Sequence, residues 1–365
     1  QFNAVLKDVT RKGTKIQTDE YLTEGKFPII DQGNNDIAGY RDDETGLFTD
    51  VPAILFGDHT RIVKYITEPF FLGADGVKVL VPIDRTMNCK YLYYQLLSAK
   101  IPDTGYNRHF KWVKELEFQL PSRNEQDDVV KRLDKLCVVI SARQQQLAKL
   151  DELVKARFVE MFGDMLLNPM AWPEVALETL ADIVSGITKG RKVKKQTLLE
   201  VPYMAVSNVK DGYIDWTTVK TILATEQEIE QYRLFPDDVL MTEGGDPDKV
   251  GRGAIIKEPL ENCIHQNHIF RVRLDKEKIL PAFFAEYLQH QKSKRYFLGC
   301  AKQTTGIASI NMRQLKALPV LLPPLDLQGQ FDEFVRQIER VACSIQNCLG
   351  QMETLKKSLM QQYFG

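Results

Sequence analysis

The chain has 365 residues, 44% of them hydrophobic, with 48 Lys and Arg against 49 Asp and Glu and a formal net charge of −1. That length suggests two or three domains with real cores, and the balanced charge excludes a protein held to nucleic acid by a global positive field. Any such binding must come from local patches or through a partner. The six cysteines are scattered without paired spacing, which fits a reducing cytosol. No signal-peptide pattern and no apolar run of membrane-spanning length is present, so a cytoplasmic location without a membrane partner is expected. The chain opens on Gln1 without an initiator methionine, so its native start can lie upstream.

Residues 1–122 read as a strand-rich module. Phe2-Asn3-Ala4-Val5-Leu6 leads into a polar turn at Arg11-Lys12-Gly13-Thr14-Lys15. Short apolar pieces then alternate with loops: Phe27 to Ile30, the Gly33-Asn34-Asn35-Asp36 loop, and Ala53 to Phe56. Val77, Val79 and Val81 alternate as in a strand. Asn88 to Lys100 predicts a helix with Leu92 and Leu96 inward, and the loop Thr104 to His109 follows. Alternating Leu116, Phe118 and Leu120 predict a last strand before Pro121.

Residues 123–163 read as one long helix. Val129, Leu133, Leu136, Ile140, Leu147, Leu150, Val154 and Met161 recur at alternating steps of four and three, a heptad seam narrow enough for one partner helix. Asn124 is the expected N-cap, ahead of a Ser122–Glu125 capping box that has no counterpart later in the chain. Gly163 suits the left-handed position that ends a helix. At ~1.5 Å per residue, some 38 residues give a rod of roughly 57 Å.

Residues 164–322 repeat the grammar of the first module. Trp172-Pro173-Glu174-Val175 resembles the opening at Phe2, Val239-Leu240-Met241 matches Ile54-Leu55-Phe56, and Ile269 to Arg273 matches the Val77 strand. Pro281 to Phe297 predicts the matching helix, and Leu318, Val320 and Leu322 stand where Leu116, Phe118 and Leu120 do. Residues 323–365 then restate the long helix at one constant offset, 202, which carries Pro121 to Pro323, Gln126 to Gln328 and Gly163 to Gly365. Its seam is Phe331, Val335, Ile338, Ala342, Ile345, Leu349, Met352, Leu359 and Tyr363, with Asp326 as the expected cap. The fold expected is α+β: two strand-rich domains, each followed by a long helix, the helices pairing as an antiparallel coiled coil in an internal pseudo-two-fold repeat.

The two Leu-Pro-x-x-x-x-Gln helix starts, Leu120–Gln126 and Leu322–Gln328, with their matched heptads and the strands before each proline, resemble the specificity (S) subunits of Type I restriction–modification systems. The resemblance runs over essentially the full length. It implies two target recognition domains, each reading one half of a bipartite DNA site, and a helical spacer that also docks two methyltransferase subunits, with restriction subunits as a further candidate partner. Methylation of adenine N6 with S-adenosylmethionine would then belong to the partner, with no cofactor bound by this chain. The family's early Gly-Gly-Thr-Pro-like turn appears only as Ser185-Gly186-Ile187-Thr188-Lys189 and, more faintly, as Gly13-Thr14-Lys15.

No catalytic signature persuades. There is no Asn/Asp-Pro-Pro-aromatic tetrapeptide, no Gly-x-Gly-x-x-Gly and no Walker loop. Cys263-x-His265-x-x-His268 lacks a fourth ligand at useful spacing and alternates into a strand, so a non-metal role is expected. Asp246-Pro247-Asp248 after Gly244-Gly245 reads as an exposed turn. The chain is therefore read as a non-enzyme. Base edges and phosphates of double-stranded DNA call for Arg, Lys, Asn and Gln on loops. In the first module the candidates are His59, Arg61, Tyr106, Asn107 and Arg108. In the second they are Lys189, Arg191, Lys192 and Lys194 of the densest basic run, and Lys302, Gln303 and Thr304 in the loop equivalent to the one holding Arg108. The rival reading is a coiled-coil protein–protein adaptor without sequence preference on DNA.

Overall fold

The computed structural model describes residues 1–73, 76–191, 197–246, 249–304 and 307–365, without the side chains of 303, 304 and 307. The chain divides into two compact units, Gln1–Gln145 with Ile345–Gly365, and Gln146–Ser344. Both mix helix and strand.

The first unit carries strands β1 (Leu6–Asp8), β2 (Phe27–Ile30), β3 (Gly39–Arg41), β4 (Ala53–Gly57), β5 (Val63–Ile66), β6 (Phe71–Leu72) and β7 (Val77–Pro82). Helices α1 (Cys89–Ser98) and α2 (Phe110–Val113) follow, and then the long α3 (Arg123–Phe162). One antiparallel sheet runs β1-β7-β4-β5, and a second, mixed sheet runs β3-β2-β6 with β2 and β6 parallel. β4 is buried at every residue because both faces of its sheet are covered. Ile54, Phe56 and Leu80 pack with Leu92 and Tyr91 of α1, while Ala53, Leu55, Val77 and Val79 pack with Ile30, Phe48 and Phe70. Period-two alternation thus feeds two cores from one sheet. Asn88 caps α1, its side chain accepting from the backbone N–H groups of Lys90 and Tyr91 at 2.9 and 3.1 Å.

The second unit carries β8 (Glu174–Ala176), β9 (Ala181–Ser185), β10 (Leu199–Met204), β11 (Lys220–Ala224), α4 (Glu226–Tyr232), β12 (Val239–Thr242), β13 (Gly244–Gly245), β14 (Gly253–Ile255), β15 (Ile264–His265) and β16 (Ile269–Leu274). It continues with α5 (Pro281–Gln289), α6 (Gln291–Cys300), β17 (Lys302–Thr304), β18 (Ile307–Ser309), α7 (Met312–Lys316), β19 (Pro319–Leu321) and α8 (Leu325–Phe364). Its four-stranded sheet runs β14-β12-β16-β9, and the three-stranded ones β11-β10-β15 and β13-β18-β17. The alternation recurs: Val239, Met241, Phe270 and Val272 enter a core with Phe283 and Tyr287, while Leu240 and Ile269 enter another with Met204 and Ile256.

Several expectations need correction. The strand foreseen at Leu116, Phe118 and Leu120 does not form, because the opening Phe2–Ala4 is a 3-10 turn that offers no ladder. Its counterpart does form, as β19 pairs with β8 through Val320 opposite Val175. The helix foreseen from Pro281 to Phe297 is two helices, broken at His290. That residue is extended (ψ 151°), and its side chain restarts the helix by accepting from Lys292 N.

Along the two long helices the seam positions are less exposed than most of their neighbours. Leu133, Ile140, Phe331 and Leu349 are buried, and Val129, Leu136, Leu147, Leu150, Val154, Met161, Val335, Ile338, Ala342, Ile345, Met352, Leu359 and Tyr363 are half-buried, while most of the flanks are exposed. In the first unit the start of α3 and the end of α8 share a cluster containing Val129, Val130, Leu133, Leu359, Met360 and Phe364. In the second, Phe158 and Phe162 of α3 each meet Phe331 of α8 edge-on at 5.5 Å between centroids.

The expected caps are not the ones used. Ser122 starts α3: its N–H and hydroxyl donate to Glu125 Oε2 at 2.9 and 2.7 Å, and Glu125 N donates back to the Ser122 hydroxyl at 3.4 Å. Asn124 already lies inside the helix, and Asp326 lies inside α8, whose first N–H donors from Leu327 and Gln328 go to Pro324 O. What the two copies share is the glutamine. Gln126 donates to Pro121 O at 2.8 Å and accepts from Asn88 N at 2.9 Å, and Gln328 donates to Pro323 O at 2.8 Å and accepts from Leu280 N at 2.9 Å. Each buried amide therefore ties the start of a long helix to the N-terminus of its own module's helix, α1 or α5. That gives the Leu-Pro-x-x-x-x-Gln spacing a physical reason. Gly163, at φ 76°, ends α3 in the left-handed region.

Candidate nucleic-acid interface

In the first unit, two loops predicted separately meet at one corner. Asp58, buried just past β4, donates its N–H to Gly76 O and accepts from His109 N on its carbonyl, both at 2.7 Å. Its carboxylate accepts from Phe110 N at 2.7 Å, so α2 starts on this side chain. Arg61 pairs with Asp103 at 2.6 Å. The backbone N–H of Gly105, followed by the Arg61 guanidinium, holds the Asp103 carboxyl below its usual range. His59 donates its N–H to Gln32 Oε1 at 3.1 Å, and its ring lies flat on Tyr106 at 4.7 Å and 8°. Tyr106, Asn107 and Arg108 are exposed, as are Lys111 and Lys114, whose ammonium groups lie over the Trp112 and Phe110 rings at 4.1 and 5.2 Å.

The second unit builds the same corner with other side chains. Glu243, just past β12, donates its N–H to His268 O at 3.0 Å and accepts from Ile310 N at 2.8 Å, the pattern that Asp58 makes with Gly76 and His109. Here the Glu243 carboxylate meets His268 Nδ1 at 2.5 Å, and Ser185 Oγ donates to Asn267 O at 2.5 Å. The loop that bears Tyr106 in the first unit is replaced by the β17–β18 hairpin, which pairs with Gly244 and Gly245. The turn after β9 is held by Ile187 N donating to His265 O at 2.9 Å, as Ile16 N donates to Leu72 O. Gly186 is required there, since a Cβ would stand 2.0 Å from His265 O.

The remaining candidates divide. Lys189 and Lys302 are exposed. Arg191 is committed elsewhere: Nε and Nη2 each reach Glu228 at 2.5 Å, and Nη2 also reaches Leu223 O at 3.1 Å. That guanidinium, ahead of the Thr225 backbone, brings the Glu228 carboxyl down to about 2. Lys192 and Lys194, the side chains of Gln303 and Thr304, and the Pro247-Asp248 part of the foreseen turn lie outside the described residues.

The Cys263, His265 and His268 side chains do not converge. His265 bonds Ile269 O through Nδ1, His268 bonds Glu243, and burial pushes the Cys263 thiol up to about 12. Among the described residues, no group of three such side chains is gathered for a metal ion. Likewise, no helix among them is long and apolar enough to cross a membrane. The residues that sequence reasoning passed over are Gln32, Asp58, Glu243 and Asn267. Gln32, Asp58 and Glu243 each sit just past a strand that was foreseen or beside a glycine, Asn267 lies just ahead of the strand foreseen from Ile269, and those positions were the signal available.

The family model described as "Type I restriction modification DNA specificity domain" matches residues 4–152 and 169–351. A Methanocaldococcus jannaschii protein described as the specificity subunit of a type I restriction enzyme, MjaX, is 29% identical over 187 residues, 51% of this chain and 44% of that protein. The type I restriction enzyme EcoKI specificity subunit of Escherichia coli K12 is 21% identical over 265 residues, 68% of this chain and 57% of that one. The chain thus matches about half the length of these relatives. The crystal structure of a Type I restriction–modification S subunit from M. genitalium superposes with a TM-score of 0.59 at 18% identity, over 100% of this chain and 95% of that one.

Proposed function

Because the chain belongs to the Type I restriction modification DNA specificity domain family, we propose that it is the non-catalytic subunit that reads an asymmetric, bipartite DNA site for an adenine-N6 methyltransferase. Residues 1–122 and 164–322 would be the two target recognition domains, and 123–163 and 323–365 the spacer helices, paired antiparallel as a coiled coil about a pseudo-two-fold. The observation that carries this reading is the corner built twice on one backbone pattern, around Asp58 and around Glu243, with different side chains displayed at each. Two like scaffolds with unlike surfaces read unlike half-sites.

Sequence would be read by loop side chains at these corners, with Lys189 and Lys302 on phosphates in the second half-site. The spacer's length would set the unread gap, whose register follows the DNA repeat of ~34 Å. Two methyltransferase subunits, bearing S-adenosylmethionine, would supply the chemistry and share phosphate neutralisation, with restriction subunits completing a nuclease. At a net charge of −1 the isolated chain should bind DNA weakly and lose it steeply with salt.

Co-expression with the neighbouring methyltransferase and sequencing of N6-methyladenine in host DNA tests this. One bipartite asymmetric motif that disappears with this chain is expected, and exchanging the segment before Pro121 should change one half-site only. If methylation is indifferent to the chain and the two proteins do not copurify, the reading fails and an adaptor role replaces it.

A further inference from the structure

The corner of the first unit ends in a ring with one free face. Tyr106 is 87% exposed, and its other face is covered by the His59 imidazole. Such a ring contributes little to a core, yet the backbone beneath it is held firmly. Asp58 fixes both His109 and Phe110, Arg61 fixes Asp103, Gly105 N donates to Asp103 Oδ1 at 3.1 Å, and Asn107 Nδ2 donates to Thr104 O at 2.5 Å. The ring is presented in one orientation before any partner arrives, so little ordering cost is left for binding. Exposed cations flank it in sequence, Arg108 two residues on and Lys111 five residues on, and Lys111 is itself poised over the indole of Trp112.

A flat, uncharged π-face beside cations complements a nucleobase beside its phosphate. We propose that the His59–Tyr106 pair is a stacking wedge, taking a nucleobase on the free face of Tyr106 at one base step of the half-site read by the first unit. Arg108 and Lys111 would engage the flanking phosphates. This inference rests on the DNA-recognition reading and names one interaction within it. It also confines the wedge to one half-site, because Lys302 to Ser309, the replacement loop in the second unit, contains no aromatic residue. Opening a base step has to overcome its stacking, so the wedge would favour the more weakly stacked pyrimidine–purine steps.

The test uses the full chain copurified with its methyltransferase partner and duplexes carrying the methylated motif, with 2-aminopurine placed in turn along both half-sites. Binding should change the fluorescence at one step of one half-site. Tyr106→Ala should abolish that change and weaken binding roughly 5- to 150-fold, while Tyr106→Phe keeps both and His59→Ala falls between. Since the Tyr106 ring is exposed, its two variants should copurify normally. If the wild-type complex protects its site but Tyr106→Ala binds equally with the same fluorescence profile, the wedge is wrong and recognition stands. If the wild-type complex protects no specific site, the recognition reading falls and the wedge with it.

Discussion

The two units keep their joints and change their corners. At the joints, Gln126 and Gln328 make the same two bonds, to the carbonyl of the proline five residues before and to the backbone N–H of the residue that caps the module helix. At the corners, what persists is backbone bonding, that of Asp58 and Glu243 and that donated by Ile16 and Ile187. Around them one unit displays a tyrosine on a histidine, and the other a carboxylate on a histidine beside a hairpin paired with Gly244 and Gly245. A buried amide bonded through both its nitrogen and its oxygen tolerates little substitution, whereas an exposed loop tip anchored by backbone bonds tolerates almost any side chain. Diversity therefore collects where it is cheap in stability and where a partner can reach it.

The units also differ in how each holds its long helices, and the largest expected effect tests that. Phe331, fully buried among Phe158, Phe162 and Phe283, occupies the repeat position of half-buried Val129. Phe331→Ala should cost about 3–5 kcal/mol, and Val129→Ala roughly 1 kcal/mol. Hydrogen exchange resolved by peptide, comparing α5 with α1, would read the two separately. Equal losses would mean that the aromatic cluster is not what sets the second unit apart.

The next contrast lies one layer in. His265 of β15 stands where the first unit has Leu72 of β6, each beside a strand of equivalent role through Met204 and Ile30. Burial, with the nearby Arg271 charge, pushes the His265 imidazole down to about 4. The unfolded chain takes up this proton near the usual value of ~6.5, and the folded unit takes it up only near 4. Stability is therefore unaffected above pH 6.5 and falls as the pH drops through that window, by on the order of 3 kcal/mol at its acid end. His265→Leu, the first unit's own solution, should flatten the slope in urea unfolding followed from pH 7 to 4. An unchanged slope would assign the acid sensitivity to other groups.

The joints come third. Gln328→Leu leaves Pro323 O and Leu280 N buried without partners, a loss of about 1–3 kcal/mol, and Gln126→Leu should cost a similar amount in the other unit. Peptides spanning residues 278–290 and 86–96 should each lose protection only with their own variant. Cross-effects of equal size would show that the amides are not local ties.

What could be read in the chain follows from the range of the interaction. β4 and β12 were legible because burial on both faces demands a continuous apolar run, β7 and β16 because their apolar residues alternate, and the seam because a heptad is written in one stretch. The missing strand at Leu116–Leu120 was not, since a strand exists only by virtue of its partner, and Phe2–Ala4 turns instead. The corner loops were legible as sets, by their polar content between strands. Their particular roles depend on partners far away in sequence: Arg191 on Glu228, His59 on Tyr106, Glu243 on His268. No local pattern encodes those pairs.

The smallest expected effect concerns the helix starts, where local pattern and structure disagreed. Ser122 and Glu125 satisfy each other across the first turn of α3, and the serine contacts lower the Glu125 carboxyl below its usual range. The start of α8 has no such pair: Pro324 occupies the cap position and supplies only its carbonyl. Proline spends no N–H there, so one of the donors that a cap must satisfy is absent from the outset. Ser122→Ala should therefore cost about 1 kcal/mol, read as faster exchange in the first turn of α3, while Asn124→Ala should be nearly neutral because that side chain lies past the cap. The reverse order would restore Asn124 as the cap in solution. Replacing Pro324 with Ser, which would offer α8 the hydroxyl acceptor that α3 has, should slow exchange in its first turn and bring the two starts closer together.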